Sequence, residues 1–299
     1  MEFEVWGLSG SLHTQHDHQM ARAQRRLWYW IGAFDRSCNR FEPDSEISLL
    51  NAHRGGTFEV SETLEMALLG ALRAAEATDG LCDPTVLPAL IALGYDRDYD
   101  ELARRHLVGT PHPPKPLGLS AIELDRDEHT VTLAPGCQID LGASAKALVV
   151  DFVANEVGTD GGVVVEIGGD VAVRGRNGDQ PWAIAVSDRL DPHGREPRVS
   201  VDQGGIATSS TTTRTWRYGS HSVNHIIDPR TGSFARGVYA TATVNAESCL
   251  SANAFSTAAL LWGEDAGYHI AQAGWSARLV RHDGAVEYVG GWPHDEAVA

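Results

Sequence analysis

The stretch His225-Ile226-Ile227-Asp228-Pro229-Arg230-Thr231-Gly232 decides how the rest of the chain is read. It begins with an imidazole, the side chain best matched to moving a proton near neutral pH. Ile226 and Ile227 read as the end of a buried strand. Pro229 fixes one backbone angle, and Gly232 admits a conformation that other residues resist. The pattern therefore predicts His225 and Asp228 held at a strand–loop junction. An Asp-Pro turn ending in glycine also closes ordinary hairpins. Taken alone, the octapeptide leaves both readings open.

Working outward, short apolar runs flank this stretch. Strands are expected at 163–167, 171–174, 182–186, 200–201, 205–208, 222–227 and 240–244. Hairpins are expected at 122–124 with 130–133, and at 277–282 with 285–289 around Asp283-Gly284. A first strand is expected at 2–8, interrupted by Gly7 and Gly10. A helix is expected over 19–38, where Leu27, Trp30, Ile31, Phe34 and Cys38 share a face. Ser61 reads as the N-cap of a second helix with Leu64, Leu68, Leu72 and Ala75 as its stripe and Gly80 beyond its end. Ser45 or Asp44 caps a shorter one. Residues 101–120, rich in Pro, His and basic side chains, read as an exposed excursion, and 188–198 as a polar surface loop. Strands cluster instead of alternating with helices. The fold class is therefore α+β, a largely antiparallel sheet flanked by helices, in a single domain over 1–299.

The 299 residues carry a net charge of -16, which repels nucleic-acid phosphates and anionic membranes. Neither a nucleic-acid partner nor membrane insertion is expected. The start of the chain, Met1-Glu2-Phe3-Glu4-Val5-Trp6, lacks the features of a secretory signal. Cys38, Cys82, Cys137 and Cys249 are widely spaced and form no CxxC pair, so free thiols in a cytoplasmic protein are the simplest account. His13, His16 and His18 read as a solvated segment rather than a metal site.

Several segments have the composition of binding sites. Asp140-Leu141-Gly142-Ala143-Ser144-Ala145-Lys146-Ala147 reads as a strand end opening a helix, where free N–H groups and Lys146 favour a phosphate. A tight turn with a surface lysine has the same composition. An apolar strand runs into Gly168-Gly169-Asp170, at a ligand or merely at the next turn. Thr208 and Ser209 precede further hydroxyls and Arg214. Asn253 and Thr257 lie four apart on one helical face, two hard oxygen donors of the kind Mg²⁺ accepts. Both residue types also cap helices.

In this order, the segments resemble the ApbE family of FAD:protein FMN transferases. The match takes in Ser45-Glu46 with Ser48 and Asn51, then Asp83-Pro84-Thr85-Val86, and Asp140-Leu141-Gly142 with Lys146 and Asp151. It continues through Gly168-Gly169-Asp170, Ala207-Thr208-Ser209, the full octapeptide and 252–257. The resemblance implies an ApbE-like fold. It also implies Mg²⁺-dependent transfer of FMN from FAD to a Thr or Ser hydroxyl of an acceptor flavoprotein, with release of AMP. Hydrolysis of FAD to FMN and AMP, or FAD binding without turnover, are the alternatives. By resemblance His225 is the base, with Asp228 orienting the loop or the imidazole. Ser45, Glu46, Asp83, Thr85, Lys146, Asp151, Gly168, Gly169, Asp170, Thr208, Ser209 and Arg230 are implied to bind the flavin nucleotide. The metal is implied at Asn253, Thr257 and a backbone carbonyl of the 140–146 turn, assigned to Ala145. Asn253 departs from the family, which has aspartate there.

Overall fold

A computed structural model of the chain describes residues 1–186 and 197–293. The chain divides into two compact units, each assembled from separated stretches. One comprises Met1–Ile31, Lys146–Ser209 and Gly237–Ala299, the other Gly32–Ala145 and Ser210–Arg236.

The first unit is built on an eight-stranded sheet. Its strands run in the order Glu2–Val5, Leu8–Thr14, Val163–Ile167, Asp170–Arg174, Gln203–Ser210, Tyr239–Ala246, Ser276–Arg281 and Val286–Val289. The pairings from Glu2–Val5 through to Gln203–Ser210, and those from Tyr239–Ala246 through to Val286–Val289, are antiparallel. Val163, Val164 and Val165 are all buried, as a strand covered on both faces requires. Val164, Val173 and Ile206 pack with Val199 and Val201 of the small ribbon formed by Trp182–Ala185 and Arg198–Val201. Helix Ala145–Val157 buries Val149, Val150, Val153 and Val157. Phe152 of that helix meets Trp30, ring centroids 4.7 Å apart. Helix Cys249–Trp262 is buried along most of its length and packs on Tyr239–Ala246.

The single strand expected at 2–8 is a hairpin. Val5 pairs with Leu8, and Trp6 and Gly7 both take positive φ between them. Gly7 does not interrupt the strand; it is half of the two-residue turn. His13 lies on the returning strand, and His16 stacks on His18. The polar loop expected at 188–198 lies outside the described residues except for Pro197 and Arg198, where a strand begins.

In the second unit, Gly56–Glu59, Thr130–Leu133 and Ile122–Asp125 form a three-stranded sheet in that order. Thr215–Tyr218 and His221–Asn224 form a separate ribbon. Helix Glu46–His53 is capped by Ser45, whose side chain accepts from the Ser48 N–H. Helix Glu62–Ala77 is capped by Ser61 in the same way through Leu64. Trp216, Val223, Ile227 and Phe234 share a core with Leu90, Leu93, Tyr95 and Leu102.

Two expectations fail here. The strand read at 222–227 ends at Asn224, because Asn224 turns its own side chain back on the following backbone. The strand read ahead of Asp140 is absent from the regular structure. Asn51 replaces its neighbour: the Asn51 amide donates to Ile139 O at 2.8 Å and its oxygen accepts from Ile139 N at 2.7 Å.

The segment read as an excursion is tied down at three points within this unit. Leu107 bridges Tyr218, and Gly219 N donates to Leu107 O at 2.8 Å. Gly118 N donates to Thr85 Oγ1 at 3.0 Å. Pro114 packs so closely on Gly232 that a Cβ there would sit 2.2 Å from its carbonyl oxygen. The segment remains exposed at Val108 and Leu117.

All four cysteines are buried and unpaired. Burial pushes the Cys82 thiol up to about 12 and Cys137 up to about 11. Among the described residues, no helix is long and apolar enough to cross a membrane.

Candidate functional site

The octapeptide forms a closed loop at the end of strand His221–Asn224. Asn224 is buried; its oxygen accepts from Ile226 N at 3.1 Å and its amide donates to Ala235 O at 3.0 Å. Ala235 N donates to Ile226 O, Asp228 N donates to Ser233 O, and Ile227 bridges Phe234. His225 therefore sits half-buried at the neck of a loop anchored by Ile226, Ile227 and Pro229. The Asp228 carboxylate accepts two bonds of 2.8 Å from the Arg230 guanidinium and a third from Arg230 N. These bonds tie the Asp228 carboxylate to its own loop. Arg230 is exposed while it makes this pair.

Elsewhere in the second unit, four expected flavin contacts hold backbone in place. Ser45 caps a helix, and Glu46 accepts from both N and Oγ of Ser61, each at 2.6 Å. Asp83 Oδ1 accepts from Thr85 N and Thr85 Oγ1, each at 2.7 Å, and burial raises its carboxyl above the ordinary range. Thr85 in turn receives Gly118 N. The 140–146 turn is fixed by Arg40, whose Nε lies 2.5 Å from Asp140 Oδ2 and whose guanidinium covers the Phe41 and Tyr95 rings. Asp140 Oδ1 also accepts from Gly142 N at 2.8 Å. Sequence reading missed Arg40 and Asn224. Asn224 adjoins the octapeptide and is an Asx-turn former, whereas nothing local marks Arg40.

The first unit gathers the remaining groups. Gly168 and Gly169, with φ of 61° and 90°, make the turn between Val163–Ile167 and Asp170–Arg174. Gly169 N donates to Glu166 Oε1 at 2.9 Å. Asp170, 3% exposed, accepts from Asn253 Nδ2 at 2.7 Å through Oδ1. Lys146, in the first turn of helix Ala145–Val157, places Nζ 3.5 Å from Asp170 Oδ2. Thr208 pairs with Thr243 at 2.9 Å. Ser209 pairs with Thr257 at 3.0 Å and with Ser256 at 2.8 Å. Ser256, also missed from sequence, is fully buried and donates to Asn253 O. Asp151 accepts from Cys249 N and Leu250 N at the start of helix Cys249–Trp262, with Arg174 at 3.7 Å. Burial raises its carboxyl. That bond pair anchors the helix on which Asn253 and Thr257 ride.

Asn253 is 8% exposed, and its Oδ1 is buried with no hydrogen-bond partner among the described residues. Asp170 Oδ2 is in the same position. Buried acceptors left this way are destabilising unless something completes them. Both are hard oxygens, so the donor set fits a divalent cation such as Mg²⁺. Ala145 offers only backbone. Among the described residues, no three His, Cys, Asp or Glu side chains are grouped to hold a metal, so a cation here would draw on amide and hydroxyl oxygens as well.

A family model described as the ApbE family matches residues 7–279. The chain belongs to the ApbE family. A FAD:protein FMN transferase of Vibrio cholerae is 29% identical over 247 residues, covering 78% of this chain and 71% of that protein. A FAD:protein FMN transferase of Rhodobacter capsulatus is 30% identical over 280 residues, covering 88% of this chain and 51% of that protein. The crystal structure of the ApbE protein of Thermotoga maritima superposes with a TM-score of 0.82 at 24% identity, covering 97% of this chain and 96% of that one. That likeness establishes an ApbE-like α+β fold with a mostly antiparallel sheet, as the sequence pattern required.

Proposed function

We propose that this ApbE-family chain transfers FMN from FAD to a Thr or Ser hydroxyl of an acceptor flavoprotein and releases AMP. The observation that carries the reading is that the family match runs across both units and through the complete 225–232 loop. In the proposed reaction, His225 accepts the proton of the acceptor hydroxyl. The freed oxygen attacks the phosphorus on the FMN side of the pyrophosphate, and the bond to the AMP oxygen breaks. Asp228 and Arg230 hold the loop that carries His225. Asn253, Thr257 and the carbonyl of Ala145 would hold Mg²⁺, which when bound neutralises pyrophosphate charge. Ser209 and Ser256 orient Thr257, and Lys146 offers a positive charge to phosphate oxygens. Glu46, Asp83 and Asp151 support the flavin-binding backbone, together with Ser45, Thr85, Gly168, Gly169 and Thr208. Four buried, unpaired thiols support a cytoplasmic setting.

Incubation with FAD, Mg²⁺ and a candidate acceptor tests the reading. The acceptor should gain the mass of an FMN group as AMP appears in equal amount. His225→Ala should lower the rate by at least about a hundredfold. AMP with free FMN would favour hydrolysis, and tight FAD binding without AMP would exclude both reactions.

A further inference from the structure

We infer that Asp170 is itself a cation ligand, acting with Asn253 as one amide–carboxylate pair. The inference rests on the flavin-transfer reading only for the identity of the cation, Mg²⁺. Asn253 Nδ2 donates to Asp170 Oδ1 at 2.7 Å. This bond satisfies one atom of each side chain. The other two atoms, Asn253 Oδ1 and Asp170 Oδ2, are oxygens, both buried and both without a hydrogen-bond partner among the described residues. Neither oxygen can satisfy the other, since neither carries a proton when Asp170 is ionised. A cation placed between them would complete both.

The pair divides the labour of a metal site. Asp170 supplies the negative charge, and Asn253 supplies a neutral oxygen plus the N–H that positions the carboxylate. Residue 253 therefore needs to be an amide here. A carboxylate in its place would lose the N–H that Asp170 Oδ1 accepts and set two anions at hydrogen-bond distance. Lys146 Nζ, 3.5 Å from Asp170 Oδ2, is the charge present on that side of the carboxylate.

Thermal melting of the full chain, without FAD, tests this with Mg²⁺ alone as probe. The protein is first stripped with EDTA, then titrated with MgCl₂. Wild type should gain melting temperature with Mg²⁺. Asp170→Asn keeps an oxygen for the Asn253 N–H and should fold, yet its apparent Mg²⁺ affinity should fall by about tenfold or more. Asn253→Asp should melt lower than wild type in EDTA and show a larger rise with Mg²⁺. Asp170→Asn with an unchanged Mg²⁺ response would overturn the assignment and leave the carboxylate as a partner of Lys146 and Asn253 only. No Mg²⁺ response in wild type, or an Asn253→Asp melt equal to wild type in EDTA, would also overturn it. Mg²⁺ binding that depends on Asp170 in a protein that releases no AMP would retire the transfer reading while leaving the pair standing. AMP release with Mg²⁺ affinity indifferent to Asp170 would do the reverse.

Discussion

At the scale of single residues, Gly232 shows how the sequence constrains the 225–232 loop. Its φ is +78°, and a Cβ would meet Pro114 O at 2.2 Å and Pro114 C at 2.8 Å. The obstacle is backbone, so no side chain can rotate away. Gly232→Ala is expected to destabilise the protein by about 2–4 kcal/mol, adding left-handed strain to overpacking. Calorimetric melting at neutral pH measures this. A variant that melts with wild type would mean that residues 114–115 lift off without consequence. Local signals served well at this scale. Ser45 and Ser61 were readable as caps because an N-cap needs only its own following turn. Lys146, Asp170 and Asn253 were each readable as polar residues of interest, but not as a cluster. Asp170 and Asn253 are 83 positions apart, and only the packing of helix Cys249–Trp262 on strand Asp170–Arg174 brings them together.

At the scale of elements, helix Glu62–Ala77 meets the turn that joins Ile122–Asp125 to Thr130–Leu133. Glu65, 7% exposed, lies with Oε2 2.5 Å from His129 Nδ1 and receives Arg126 at its other oxygen. The imidazole holds Glu65 below its ordinary value of 4.5, and the carboxylate holds the His129 pKa above its ordinary 6.5. The Glu65 contribution is present above the unfolded value and is lost as pH falls through the lowered one. The His129 contribution is present below the unfolded value and is lost as pH rises through the raised one. Both are complete only between 4.5 and 6.5. The melting-temperature gap between wild type and Glu65→Gln should peak in that window and narrow on either side. A gap independent of pH would show that packing, not charge, holds the contact. Elements were legible where they carried a period and opaque where they did not. Strand Gly56–Glu59 was missed because only Phe58 escapes full exposure, leaving no alternation to read. The Asn51–Ile139 pairing imitates a strand partner with a side chain, and no backbone pattern announces it.

At the scale of the molecule, the sheet of the first unit depends on its N-terminal hairpin. Leu8–Thr14 pairs with Val163–Ile167 along five positions, from Gly10↔Ile167 to Thr14↔Val163. Deleting residues 1–14 would leave Val163–Ile167 as an edge, apolar on both faces and with unpaired backbone groups. The truncated protein is expected to associate, seen as high-mass species in size-exclusion chromatography. A monodisperse product of unchanged melting temperature would contradict this. Fold class was legible from the clustering of strands, because that depends on order along the chain alone. The strand order was not, since partners are chosen by packing over long separations.

The interleaving of the two units has a consequence for synthesis. The Leu8–Thr14 strand emerges early, yet its partner Val163–Ile167 is about 150 residues away. At about 5–20 residues per second, the hairpin waits on the order of 10 s for that partner. The stretches of the second unit end at Arg236, whereas the first still needs Gly237 onward. A chain that begins in one unit must therefore supply every strand of the other before it can finish its own.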